Sequence, residues 1–188
     1  MKIFRRRGLA YNEHGATAIE FAMLLPLFLA FVLGIIDICA YFFVAGQLQY
    51  GVEQASRSIR VGEATVIGKT ATQSDAFRAL VCSNISTFMI SSCTTNLMVD
   101  VRSFSDFDVI TYPADPDLNS NGIIDASEVQ YCAGEPSTAV VARVFYNYTT
   151  IVPALSAFSS AVVPGTVTIQ STTTFRTEPY SSSGVTCP

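Results

Sequence analysis

Tryptophan is absent from this chain, and histidine occurs once, at position 14. Charge is scarce too: 14% of the 188 residues are Asp, Glu, Lys or Arg, against about a quarter in soluble domains. Each shortage excludes something. With His14 isolated near the N-terminus, no Ser-His-Asp or Cys-His site can form in the body, nor a zinc site that uses histidine. No paired-carboxylate signature stands out, so the chain is not expected to be an enzyme. Low charge beside 49% apolar residues and a mean hydropathy of +0.38 excludes disorder and points to a membrane segment on a modest domain. The length permits one domain plus an appendage.

The charge that is present is unevenly placed. Lys2, Arg5, Arg6 and Arg7 are opposed only by Glu13 in the first 15 residues, a net +3, and the remaining 173 residues carry −7. An acidic body argues against a nucleic-acid partner. Phe21 to Ile36 is free of charge, Asp37 interrupts, and Ile38 to Ala45 resumes the apolar run. As a helix these 25 residues span roughly 37 Å, against a hydrocarbon core of ~30 Å. The preceding basic residues keep the N-terminus cytoplasmic and put everything after about residue 46 beyond the membrane. A cleaved secretory signal is disfavoured, because its core would be shorter.

A plain signal anchor fits length and polarity but gives Glu20 no reason to be there. A carboxylate costs roughly 2.5–3.5 kcal/mol at mid-bilayer and less at the edge, so Glu20 either reaches the interface or has a partner. Asp37 lies ~25 Å farther along the helix. Two readings stay open for it: a solvated interfacial carboxylate, or one paired with another subunit. Pro26 deletes one helical hydrogen bond, which membrane helices tolerate, and Gly34 permits close helix contact.

The run GATAIEFAMLLPLFLAFVLGIID, from Gly15, resembles the start of type IV prepilin-like proteins. The resemblance implies a leader ending at Gly15, cut by a prepilin peptidase, with Ala16 as the new N-terminus. Glu20 is then fifth after the cut and would pair with the free amine of a neighbouring subunit. The following run, GIIDICAYFFVAGQLQYGVEQASRSIRVGEA, looks like the TadE family, pseudopilins of the tight-adherence (Flp) pilus. Later stretches also resemble that family: FRALVCSNIS, SSCTTNLMVDVRSFSDF, VVARVFYNYTTIVP, and VTIQSTTTFRTEPY with its Arg176, Glu178 and Pro179.

What the resemblance implies is a minor pilin-like subunit that acts by helix-mediated interaction. Its partners would be other pilin-like subunits, the peptidase, the inner-membrane assembly platform and membrane lipid. It would sit in the bacterial inner membrane as a single-pass protein, N-terminus cytoplasmic and C-terminal domain periplasmic, reaching the cell surface on assembly. Gly15 and Ala16 would be its processing site, and Glu20 and Asp37 its assembly residues.

The expected fold class is α+β. Leu48, Val52, Ala55 and Ile59 form one helical stripe, so the membrane helix should continue as an amphipathic rod to about residue 62. Lys69 to Met89 reads as a second helix, with Ala76, Leu80, Ile85 and Met89 apolar. Leu97, Val99 and Val101 alternate as in a strand, and residues 138–152 and 166–176 are rich in β-branched and aromatic residues. The organisation expected is a leader (1–15), a membrane and assembly helix (16–62), and an extracytoplasmic domain (63–188). The domain would be a helix on an antiparallel sheet of about three strands, with an insertion at 108–135.

Five cysteines divide by compartment. Cys39 is in the span, a small apolar filler. Cys82, Cys93, Cys132 and Cys187 lie outside, where disulfides persist. Of the three pairings, Cys82–Cys93 with Cys132–Cys187 is expected, because the first joins a helix end to the next strand's approach. Loop closure makes these worth roughly 3 and about 4 kcal/mol before strain. No C-x-x-C occurs, which disfavours four-thiolate zinc.

Finally, DLNSNGIIDASE fits the twelve-residue EF-hand loop pattern. Oxygens would come from Asp117, Asn119, Asn121, the Ile123 carbonyl, Asp125 and Glu128, with Gly122 at the sharp turn and Ile124 as anchor. A chance polar turn is the alternative, since Pro113 and Pro116 deny the loop a leading helix. SEVQYC could supply one turn of trailing helix. Calcium, if held, would be structural. It also supports a rival function, a signal-anchored calcium-binding domain acting alone at the surface or in the periplasm. A tethered hydrolase is weaker, lacking a nucleophile motif.

Overall fold

The structure, a computed structural model, describes residues 14–85, 93–111, 116–152, 165–181 and 187. Helix α1 runs His14–Arg60, unbroken through Pro26, roughly 70 Å at 1.5 Å per residue. It ends in a Schellman motif. Gly62 sits at φ +76° and its N–H reaches the Ile59 carbonyl, while the Glu63 N–H reaches Ser58. Tyr180 packs on Gly62 so closely that a Cβ there would lie 2.3 Å from its ring. The chain's last described segment is thus pinned to the top of α1, where the Glu178 N–H also donates to the Arg60 carbonyl at 2.8 Å.

Helix α2, Ala71–Ser83, starts where Gln73 reaches back to the Thr70 backbone N–H and hydroxyl. It is shorter than expected, and residues 86–90 lie outside the described ones. Of the expected stripe, Ile85 is buried in the core and Met89 lies outside the described residues, but the first two positions are shifted by one residue. Phe77 and Val81 are fully buried, whereas Ala76 and Leu80 sit at the rim of the core. Gly51 of α1 lets α2 approach, since a Cβ would meet the Val81 carbonyl at 3.0 Å and Ile85 nearer still.

A one-turn helix α3, Cys93–Asn96, leads into strand β1, Leu97–Phe104. Strand β2 is Ala139–Thr149 and β3 is Thr166–Arg176, in an antiparallel sheet of order β1-β2-β3. Leu97, Val99 and Val101 lie opposite Tyr146, Val144 and Ala142, and all six are buried in one core. The outer half of α1 covers this face through Val44, Leu48, Val52, Ala55 and Ile59. Fully burying such aliphatic side chains stabilises by roughly 1.5–3 kcal/mol each. The fold is therefore α+β, with the expected stripe packed on the chain's own sheet.

Both disulfides, Cys82–Cys93 and Cys132–Cys187, pair as expected. Cys39 is free and exposed on the α1 flank.

Candidate functional site

Two surfaces of α1 differ in kind. Over the first half, apolar side chains from Ile19 to Phe43 project outward, among them Phe21, Met23, Leu27 and Phe31, all more than 60% exposed. This helix is long and apolar enough to cross a membrane and fits a single-pass anchor. Gly15 is exposed with open space around its Cα, Ala16 follows it in the first turns of α1, and Glu20 is exposed on the flank. Residues 1–13, the rest of the expected leader, lie outside the described ones.

Asp37 is not a solvated interfacial carboxylate. It is buried, 3% exposed, and its partners are in its own chain. The Tyr148 hydroxyl and Ile151 N–H donate to Oδ1, each at 3.1 Å, and the Val152 N–H donates to Oδ2 at 3.2 Å. The carboxylate thus fastens the lower end of β2 to α1. The ring of Tyr41 meets Tyr148 edge-on, 6.1 Å between centroids. Burial, and then the bond to Asp37, pushes the Tyr148 phenol up to about 12, so it stays a neutral donor. The sequence singled out Asp37 but gave no sign of Tyr148, 111 residues away.

The Asp117–Glu128 segment closes into a hydrogen-bonded loop. Asp117 accepts from the Asn121 and Gly122 N–H groups, at 3.2 and 2.7 Å. Glu128 accepts from Asn119 N–H at 3.0 Å with one oxygen and from Asp125 N–H at 2.8 Å with the other. Both Asn119 and Asn121 amides donate to Asp125 Oδ2. Gly122 takes the positive φ expected at the sharp turn, +85°, and Ile124 is buried.

Oxygen-rich side chains in this order suit a hard cation by chemistry, with Asn Oδ1 lone pairs available beside the turns they already hold. The carboxylates alone do not suffice. Among the described residues no three His, Cys, Asp or Glu side chains are grouped closely enough to hold a metal. A cation would have to turn the two amides and draw the acids inward. Residues 126–128 form a turn and the chain then runs on without the expected helical turn, and it is stitched down. Tyr131 donates to the Val66 carbonyl at 2.7 Å, and burial pushes its phenol up. Ala133 pairs with Gly68.

One polar cluster escaped the sequence reading. On the face of the sheet away from α1, Asp100 is 1% exposed. One of its oxygens accepts from Arg102 Nε and Gln130 N–H, both at 3.0 Å. The other accepts from Arg143 Nε and Nη2, at 3.1 and 2.6 Å. Arg143 is itself buried, directly across from Asp100 in register and over the Phe145 ring. An opposite-charge pair interrupting two apolar strands was the available signal.

Set against known families, the profile of the TadE-like protein family matches residues 15–57. That segment of the chain is similar to the TadE-like family. The match begins at the expected processing glycine, takes in Glu20 and Asp37, and ends within the outer half of α1. No curated protein and no solved structure matches the chain.

Proposed function

We propose that this chain is a pseudopilin, a minor pilin-like subunit that helps assemble a tight-adherence pilus. It acts by interaction, not catalysis. Supporting this reading is the coincidence of the TadE-like match with a helix whose first half is apolar on its exposed flank. Glu20 lies near the start of that flank, where a carboxylate needs a partner or headgroup water. After cleavage behind Gly15, the Ala16 amine of one subunit would neutralise Glu20 of its neighbour. Other pilin-like subunits, prepilin peptidase, the inner-membrane platform and lipid are its partners in this scheme. The chain crosses the inner membrane once, with its domain in the periplasm until assembly carries it to the surface.

The test is the mature N-terminus. Wild-type chain should begin at Ala16, Gly15→Ala should keep its leader, and Glu20→Gln should mature normally yet lose most fibres. A Gly15→Ala chain trimmed like wild type, or full piliation by Glu20→Gln, would count decisively against the reading.

Calcium is a second part of the proposal. Asp117, Asn119, Asn121, the Ile123 carbonyl, Asp125 and Glu128 would hold it, tying a self-repelling acidic insertion together. Titration calorimetry on the full chain in detergent should show binding at millimolar calcium or tighter, the range of extracellular modules. The Asp117→Ala/Glu128→Gln chain should show none. The same hydrogen-bonded loop favours the rival reading of an anchored calcium-binding domain acting alone, and a mature chain that still starts at Met1 would select it.

A further inference from the structure

The membrane span and the outer domain overlap along α1. Sequence alone places the outer edge of the membrane near residue 46, yet the domain's contacts with α1 begin lower, at Asp37, and Gly34 one turn nearer the membrane is also buried. Counting from Glu20, Asp37 lies ~25 Å up the helix, short of a ~30 Å hydrocarbon core, and Phe42 and Phe43 lie ~33–35 Å up, at its rim.

The sheet explains the overlap. Strand β2 descends along α1. Its start adjoins the residues near Arg60, because Val140 pairs with Phe175 and Phe175 lies under Arg60. Its end is held at Asp37. The end of β2, with Ile151 and Val152 just past it, therefore lies on the bilayer side of the domain. Ile151, on that end, is 57% exposed although its N–H is fixed to Asp37, and Phe42 and Phe43 are exposed on α1 at a similar height.

We infer that the end of β2 at Ile151, with Phe42 and Phe43 at a similar height on α1, is seated in the outer headgroup and upper acyl zone of the bilayer. The surface continues the lipid-facing flank of α1 without a charged step, since Ile38, Phe42 and Phe43 are all exposed on that helix. Aromatic and aliphatic side chains at this depth are what membrane interfaces select. The seating also gives the Asp37 clasp a physical reason. A carboxylate this close to hydrocarbon must have its oxygens occupied, and here three donors of the same chain do so. The outer domain would then stand on the membrane at a set height instead of swinging from a free helix. This inference rests on α1 as a membrane span and does not depend on fibre assembly.

The absence of tryptophan makes a direct test possible. Ile151→Trp gives the full chain one tryptophan at the end of β2. Phe107→Trp gives one beyond the far end of β1, on a side chain 46% exposed. Each is reconstituted in phosphatidylcholine vesicles, with or without bromine on the upper acyl chain. The Ile151→Trp chain should emit to the blue of the control, lose most of its emission to brominated lipid, and resist aqueous iodide. The Phe107→Trp chain should do the reverse. Phe42→Trp, on α1 itself, should behave as Ile151→Trp and reports on depth should the Ile151 variant fold poorly. Equal iodide quenching of Ile151→Trp and Phe107→Trp, with no effect of bromine, would overturn the inference. So would blue emission that depends on protein concentration and ignores bromine, since a second copy would then be the cover.

Discussion

Asp37→Ala should cost the outer domain roughly 3 kcal/mol, because three donors lose a shared charged acceptor and hydrogen bonds to charged groups are the strong ones. The Tyr148 hydroxyl is buried and has little access to replacement water, so it carries the largest share. The Ile151 and Val152 N–H groups are partly exposed and can recover some of their loss from solvent. Asp37→Asn should fall between, since one carbonyl oxygen still accepts while the NH2 group faces donors. Urea unfolding of the detergent-solubilised chain measures the loss, and amide exchange at Ile151 and Val152 locates it. An unchanged midpoint with slow exchange at both amides would show that the clasp contributes nothing.

The larger effect is expected at the other buried carboxylate. Asp100→Ala leaves the Arg143 guanidinium buried between strands with its main partner gone, which costs about 3–5 kcal/mol. It also frees the Gln130 N–H, two residues past the acidic loop, so the exit of that loop should loosen. The double variant Asp100→Leu/Arg143→Met removes both charges together and should regain most of the lost stability, because a buried ion pair gives little net gain over apolar packing. Denaturant unfolding with both disulfides intact decides between these. If Asp100→Ala unfolds like wild type, or the double variant is the weaker of the two, a stranded guanidinium is not what destabilises the sheet.

Much of this molecule is written in local pattern. The single long helix follows from an apolar run that passes into a stripe at helical spacing, and such periodicity survives any arrangement of the rest. Alternation in 97–101, and β-branched runs at 138–152 and 166–176, likewise mark strands now seen at Leu97–Phe104, Ala139–Thr149 and Thr166–Arg176. Cysteine pairing was narrowed by compartment and by the way Cys82–Cys93 joins a helix end to the next strand's approach. In α2 the pattern misled by one residue at Ala76 and Leu80, though Ile85 is buried as expected. Ala76 and Phe77 are both apolar, and which of them faces the core depends on where α1 lies, a fact no window of sequence contains.

The sequence by itself determined the membrane-length helix, the α+β order of elements, the likeness of residues 15–57 to the TadE-like family and the order of oxygen-bearing side chains in the acidic loop. Those are properties of neighbours along the chain. Only the tertiary structure decided what the carboxylates do. Asp37 meets Tyr148 across 111 residues, and Asp100 meets Arg143 across 43. A carboxylate reads the same in sequence whether it faces water, a neighbouring subunit or its own buried strand. Its role is set by desolvation and by the donors that folding brings to it, and both are created only when distant segments pack.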